Sequence, residues 1–159
     1  MKNKKGLIVT ILIIIIAIST GAYLYLSNSK IEISTHSEYL FNKNFNPNKI
    51  LVYGIAIGDT ENKIPSSVIN ENKNSAGWIH TTNNVGYRIA NNKVVEIVLS
   101  SKETKRIGLI REDEIIMRFG NPDKIEKNNF GISIYYYINK GLSVRYTDAL
   151  GVNINITAN

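Results

Sequence analysis

The chain has 159 residues, 43% of them hydrophobic and 20% charged, with a formal net charge of +6, three prolines, eleven glycines and no cysteine. That length fits one compact domain plus an appendage and excludes a multidomain enzyme with separate cofactor and substrate domains. The apolar content excludes a mostly disordered chain. The missing cysteine removes disulfide frameworks, thiolate zinc sites, a cysteine nucleophile and a lipid-bearing N-terminal cysteine.

Lys2, Lys4 and Lys5 form a basic stub over residues 1–5, and the uncharged run GLIVTILIIIIAISTGAYLYL follows over 6–26. At about 1.5 Å per residue, a helix of that length crosses a hydrocarbon core of about 30 Å. Thr10, Ser19 and Thr20 can return their hydroxyls to the preceding turn, and Tyr23 and Tyr25 fall where amphipathic rings prefer the interface. The pattern predicts a single-pass anchor in the cell membrane, with the stub cytoplasmic and everything after Leu26 extracytoplasmic. The alternative is a secreted protein whose signal peptide is cleaved at Thr20-Gly21-Ala22; the tyrosines and leucines that continue the run favour the anchor. Three of the 19 basic residues lie in the stub, which leaves 16 against 13 acidic residues, or +3, beyond it. So small an excess, without a basic run interleaved with aromatics, does not point to nucleic acid.

Residues 27–49 read as a tether, because Pro47 and several asparagines discourage regular structure. Within it Ile31 and Ile33 alternate with polar residues, and Tyr39, Leu40, Phe41 and Phe45 offer docking groups. From Ile50 the pattern becomes orderly and predicts a folded α+β domain over 50–159. Two tandem copies of one theme are expected, over 50–100 and 107–157. Ile57 and Leu109 precede the helical segments and Tyr87 and Tyr136 precede the turns, at separations of 52 and 49 residues.

In the first copy Asp59 is a candidate helix N-cap, with Pro65 keeping that helix short. Val95, Ile97 and Leu99 alternate as a strand should. In the second copy Ile115, Ile116 and Phe119 share a helical side, and Gly120 and Pro122 end the helix. Strict alternations follow: Ile132, Ile134, Tyr136 and Ile138, an Asn139-Lys140-Gly141 turn, then Leu142, Val144 and Tyr146, then Val152, Ile154 and Ile156. They predict an antiparallel sheet with helices on one face and water on the other.

The helix ending in Phe119-Gly120-Asn121-Pro122, with strands after it, resembles the unit of the SmpA/OmlA outer-membrane assembly lipoproteins. The tandem arrangement is similar to the β-lactamase inhibitor protein fold, in which two such units form one sheet. The resemblance implies a non-catalytic, protein-binding role and names no binding residues. This chain differs in lacking the lipidation cysteine.

The residues offer little to chemistry. His36 and His80 have no metal-ligand spacing, no nucleophile elbow is present, and Glu112, Asp113 and Glu114 suit a helix first turn, where negative charge complements the dipole. No catalytic, metal or cofactor site is therefore expected. Candidate partner-binding residues are aromatic and cationic. Tyr135 and Tyr137 alternate away from the predicted core face, near Arg145, and Trp78 joins them if its strand lies alongside; these types are frequent at binding hot spots. The expected function is a non-enzymatic binding protein of the bacterial envelope with a protein partner, of inhibitor, immunity or assembly type. A sensor of small ligands or cell-wall fragments is the alternative, and would show a concave pocket of some hundreds of Å³.

Overall fold

Alternating apolar residues build this molecule, and among the described residues eight of the strands they form join into one sheet. The computed structural model describes residues 13–20, 29–71 and 73–158, and divides into a unit over 1–30 and a unit over 31–159. In the first unit the described helix covers residues 13–20 (α1), with the Ser19 hydroxyl donating to the Ile16 carbonyl at 3.0 Å. Eight residues of helix rise about 12 Å. Among the described residues no helix is long and apolar enough to cross a membrane, which overturns the expected N-terminal transmembrane helix and signal-anchor. Residues 6–12 and 21–26 of that expectation lie outside the described residues.

The second unit opens with β1 (Ile31–Glu32), which pairs in parallel with β2 (Ile50–Leu51). Between them two short 3-10 turns place Leu40, Phe45 and Pro47 in the interior. From Ile31 onward the expected tether is therefore part of the folded unit. Glu32 fixes it there. Its carboxylate accepts the Ser34 hydroxyl at 2.8 Å and the backbone N–H groups of Ser34 at 3.0 Å, Tyr53 at 2.9 Å and Gly54 at 2.8 Å. Tyr53 sits at φ +51°, a conformation that is strained for a bulky side chain. Glu32 holds its backbone, and its hydroxyl donates to the buried Glu103 carboxylate.

An eight-stranded antiparallel sheet makes up the rest: β3 (Ile69–Glu71), β4 (Trp78–Thr81), β5 (Val85–Ala90), β6 (Lys93–Leu99), β7 (Lys124–Lys127), β8 (Ile132–Tyr137), β9 (Leu142–Thr147) and β10 (Gly151–Thr157). Its order is β3-β4-β5-β6-β10-β9-β8-β7, so two four-stranded meanders meet at their last strands. Helices are few and short: α2 (Ser101–Arg106) and α3 (Glu112–Phe119). The expected α+β fold with a membrane helix thus gives way to a fold that is mostly sheet. The predicted first-copy helix is replaced by two 3-10 turns, Glu61–Lys63 and Ser66–Val68, on either side of Pro65. Proline removes the N–H that a continuous helix needs and biases Ile64 away from helical backbone. Asp59 accepts from the Ala56 N–H at 2.7 Å and from the Lys63 ammonium at 2.8 Å instead of capping a helix.

One face of the sheet packs against α3 and residues 33–64. Ile33, Leu40, Ile50, Val52, Ile97, Leu99, Ile115, Val144, Ile154 and Ile156 share that core. Phe119 meets Phe41 edge-on at 4.9 Å and Tyr137 at 5.4 Å, and the Arg118 guanidinium lies over Phe41. On α3, Ile115 and Phe119 are buried as expected but Ile116 faces solvent.

Two outcomes follow from this packing. Leu40→Ala should cost about 3 kcal/mol in denaturant melts, as removal of a fully buried leucine does, whereas a true tether would tolerate it. Burial alone would raise the Glu32 carboxyl, but its hydrogen bonds outweigh burial and hold it below its ordinary value of 4.5. A lowered folded-state pKa contributes stability above that ordinary value and loses it as pH falls through the lowered one. The thermal midpoint of Glu32→Gln should therefore fall less steeply than that of the wild type below about pH 4.5.

Candidate functional site

Hairpin geometry decides which side chains reach the uncovered face. The connection between β8 and β9 runs from Ile138 to Gly141, with Gly141 in the left-handed region at φ +58°, and Tyr137 pairs with Leu142. Tyr135 stands opposite Val144 in the same ladder, so both tyrosines share the core face with Leu142 and Val144. Each is only 3% exposed. The Tyr135 hydroxyl donates to Glu112 and the Tyr137 hydroxyl to the Gly120 carbonyl at 3.1 Å. Burial, together with the Glu112 carboxylate for Tyr135, pushes both phenols up to about 12. In return the Tyr135 and Ser133 hydroxyls and Lys127 hold Glu112 below its ordinary value. Tyr135 and Tyr137 are therefore structural residues, and they are withdrawn from the candidate binding set.

Ile132, Ile134 and Tyr136 instead point to the uncovered face, where Arg145 is exposed and Trp78 is half-buried. One row crosses six strands there: His80, Gly86, Val98, Asn155, Ser143 and Tyr136 are successive ladder partners. The row runs from an aromatic ring through a small residue to the centre, and out again through a small residue to an aromatic ring. Small residues inside larger ones make the surface concave.

The deeper side of this concavity is built on Gly86. A Cβ at that position would lie 3.4 Å from the His80 ring and 3.5 Å from the Trp78 ring. Those two rings stack over it, 6.2 Å apart and 16° from parallel. They wall a depression of about 710 Å³ that continues over Val98 and Ser100 to Asn153, Asn155 and Arg145. Both meanders contribute to it, and the β6–β10 junction runs along its floor. A second depression, of about 630 Å³, lies by Tyr136, Ser143 and Thr157 and has no charged lining group.

Charge within the first depression is sparse. Arg88 is paired: its Nε donates to Glu96 at 2.8 Å, and Glu96 also accepts from the Asn155 amide at 3.2 Å. Arg145 makes no hydrogen bond or ion pair among the described residues, and Glu71 stands at the opposite edge. His80 stacks on Trp78, and its ladder partner on β3 is Glu71, with which it makes no hydrogen bond or ion pair among the described residues. His36 contacts the Thr35 hydroxyl far from this face in sequence and fold, at 2.8 Å. Among the described residues no group of three or more histidine, cysteine or acidic side chains could hold a metal ion. The arrangement offers stacking, hydrogen bonding and, at Arg145, a cation unpaired among the described residues.

Of the predicted site residues, the structure brings Trp78 and Arg145 to one depression and removes the two tyrosines. Sequence reasoning missed His80 as a stacking partner, Gly86 as the floor, and Asn153 and Asn155. The last two were legible as the polar phase of β10, opposite Val152 and Ile154.

No protein-family model matches the sequence, and no curated protein matches it. Among solved structures the chain is similar to the crystal structure of a DUF4309 family protein (YjgB) from Bacillus subtilis subsp. subtilis str. 168. The two are 10% identical, with a TM-score of 0.49, over 78% of this chain and 92% of that one.

Tyr135→Phe removes a half-buried hydrogen bond to a charged acceptor and should cost about 2 kcal/mol. Trp78 emission should stay unchanged, because Trp78 is on the other face; a shift in that emission would place Tyr135 at the depression after all.

Proposed function

We propose that this protein is a non-enzymatic binding domain that holds its ligand in the depression on the uncovered face of the sheet. The observation that carries the reading is the depression itself. Its volume of about 710 Å³ falls within the range of ligand sites. Its lining mixes a stacked aromatic pair, aliphatic floor, amides, a hydroxyl and one unpaired guanidinium, which is the composition of a recognition surface. His80 stacks on Trp78 and makes no hydrogen bond to Glu71 across the ladder, which favours a packing role for its ring.

Two expectations from sequence separate at this point. A flat protein-docking face built on Tyr135 and Tyr137 loses its anchors, because both are buried. A concave pocket of some hundreds of Å³ is the feature expected of a domain that senses small ligands or wall fragments, and the depression has that size. We therefore place ligand recognition ahead of docking to an envelope protein.

Gly86→Leu is the variant that tests this. A Cβ at this position already meets the His80 ring at 3.4 Å and the Trp78 ring at 3.5 Å, so the rest of a leucine side chain must push the two rings aside and disrupt this wall of the depression. Met117, exposed on α3 on the opposite side of the sheet, supplies the control Met117→Ser. In a thermal-shift screen of the full chain against small metabolites and soluble wall fragments, stabilising compounds should raise the midpoint of the wild type and Met117→Ser. They should leave Gly86→Leu unmoved. Compounds that stabilise Gly86→Leu as well as the wild type would contradict the assignment.

A further inference from the structure

The depression also specifies what kind of molecule suits it, given that it is the binding site. Its floor comes from β5, β6 and β10, strands with neighbours on both sides. Their backbone N–H and C=O groups are already spent in the ladders, so a peptide cannot enter by adding a strand. Recognition must come from side chains.

Those side chains fall into three groups. Trp78 and His80 supply two near-parallel aromatic rings with centroids 6.2 Å apart. The face of an aromatic ring carries negative charge density and attracts positively polarised C–H groups, such as those on the apolar face of a sugar ring. Asn84, Asn153 and Asn155 then line the depression beside Ser100. A primary amide offers donors and an acceptor side by side, which matches neighbouring hydroxyls that both donate and accept. At the far wall stands Arg145, whose guanidinium fork fits a carboxylate.

Shape and charge narrow the choice. From β4 to β9 the depression crosses four strand spacings, about 19 Å at ~4.8 Å each. That is room for an elongated ligand of several rings. One unpaired cation, with Arg88 already neutralised by Glu96 and with Glu71 at the edge, suits an isolated carboxylate. It does not suit the repeated phosphates of a nucleic acid, which need a row of basic residues.

We propose that the depression binds a short carboxylate-bearing oligosaccharide laid across the strands, with one sugar ring on the Trp78–His80 stack and a carboxylate on Arg145. This rests on the reading of the depression as the ligand site and adds the class of ligand.

Trp78 is the one tryptophan of the chain, so its emission reports on the two rings directly. The full chain is titrated with three tetrasaccharides: alternating N-acetylglucosamine and N-acetylmuramic acid, tetragalacturonate, and the neutral N-acetylglucosamine tetramer. A saturable change in emission is expected with at least one acidic sugar, at an affinity at least ten-fold above that of the neutral tetramer. Whichever acidic sugar responds identifies the source of the carboxylate. Arg145→Gln should reduce the acidic sugar to the affinity of the neutral one while leaving the emission of the free protein unaltered. Equal binding of acidic and neutral sugars, or acidic binding that survives Arg145→Gln, would overturn the carboxylate assignment. No response to any of the three would overturn the saccharide class. In that event a compound from the thermal-shift screen whose effect Gly86→Leu still abolishes would leave the site itself standing, so the two failures are distinguishable.

Discussion

The antiparallel junction between β6 and β10 is the interaction on which this structure depends. Leu99 pairs with Ile154, Val98 with Asn155, Ile97 with Ile156 and Glu96 with Thr157. Without that seam each meander would present its last strand as an open edge, a row of unpaired backbone groups. With it, eight strands form one surface. On the core side the seam stacks Ile97, Leu99, Ile154 and Ile156, all fully buried or nearly so. On the other side it places Val98 beside Asn155 and lets Glu96 bind Arg88 of one meander and Asn155 of the other. The floor of the depression is this seam, so the site exists only in the joined sheet.

Strand order gives the two halves matching positions, which carry different side chains. The first meander supplies Trp78, His80 and Gly86; the second supplies Arg145, Asn153 and Asn155. Stacking therefore comes from the first half and the guanidinium from the second, while both contribute amides, Asn84 from one and Asn153 and Asn155 from the other. The helical layers differ too. The second half has α3, whose Glu114 carboxylate accepts the N–H groups of Ile110 at 2.8 Å and Arg111 at 3.0 Å. In the first half Pro65 leaves short turns, and residues 31–52 supply the missing cover, held by Glu32 and by the Tyr87 hydroxyl on the Val52 carbonyl at 2.8 Å. Burial raises that phenol well above its ordinary value, which keeps it a donor at any ordinary pH.

Much of this was legible in the sequence where alternation was unambiguous. The phases of β9 and β10 follow directly from Leu142, Val144, Val152, Ile154 and Ile156. The phase of β8 does not, because Ile132 to Ile138 is apolar or aromatic at every position but Ser133. Its face is set by the hairpin. A three-residue turn over 139–141 would pair Ile138 with Leu142, whereas the four-residue connection pairs Tyr137 with Leu142 and turns every side chain over. The same kind of slip occurs in β6, where an irregularity opposite Arg88 and Ile89 buries Val94 in place of Val95. The α2 helix escaped notice because its buried residues, Glu103 and Thr104, are polar; Thr104 is held by donating to the Val152 carbonyl at 2.6 Å. Gly86 and His80 carry no signal of their own in sequence, since their importance comes from being ladder neighbours.

The central claim is that both meanders act as one body across the β6–β10 seam, which alone creates the ligand surface. Native-state amide exchange on the full chain tests it most directly. Amides of β4, β5 and β6 should share the opening free energy and denaturant dependence of those in β8, β9 and β10, as one cooperative unit does. Exchange of one meander at a markedly lower free energy, with the other still protected, would show two bodies side by side and contradict the account.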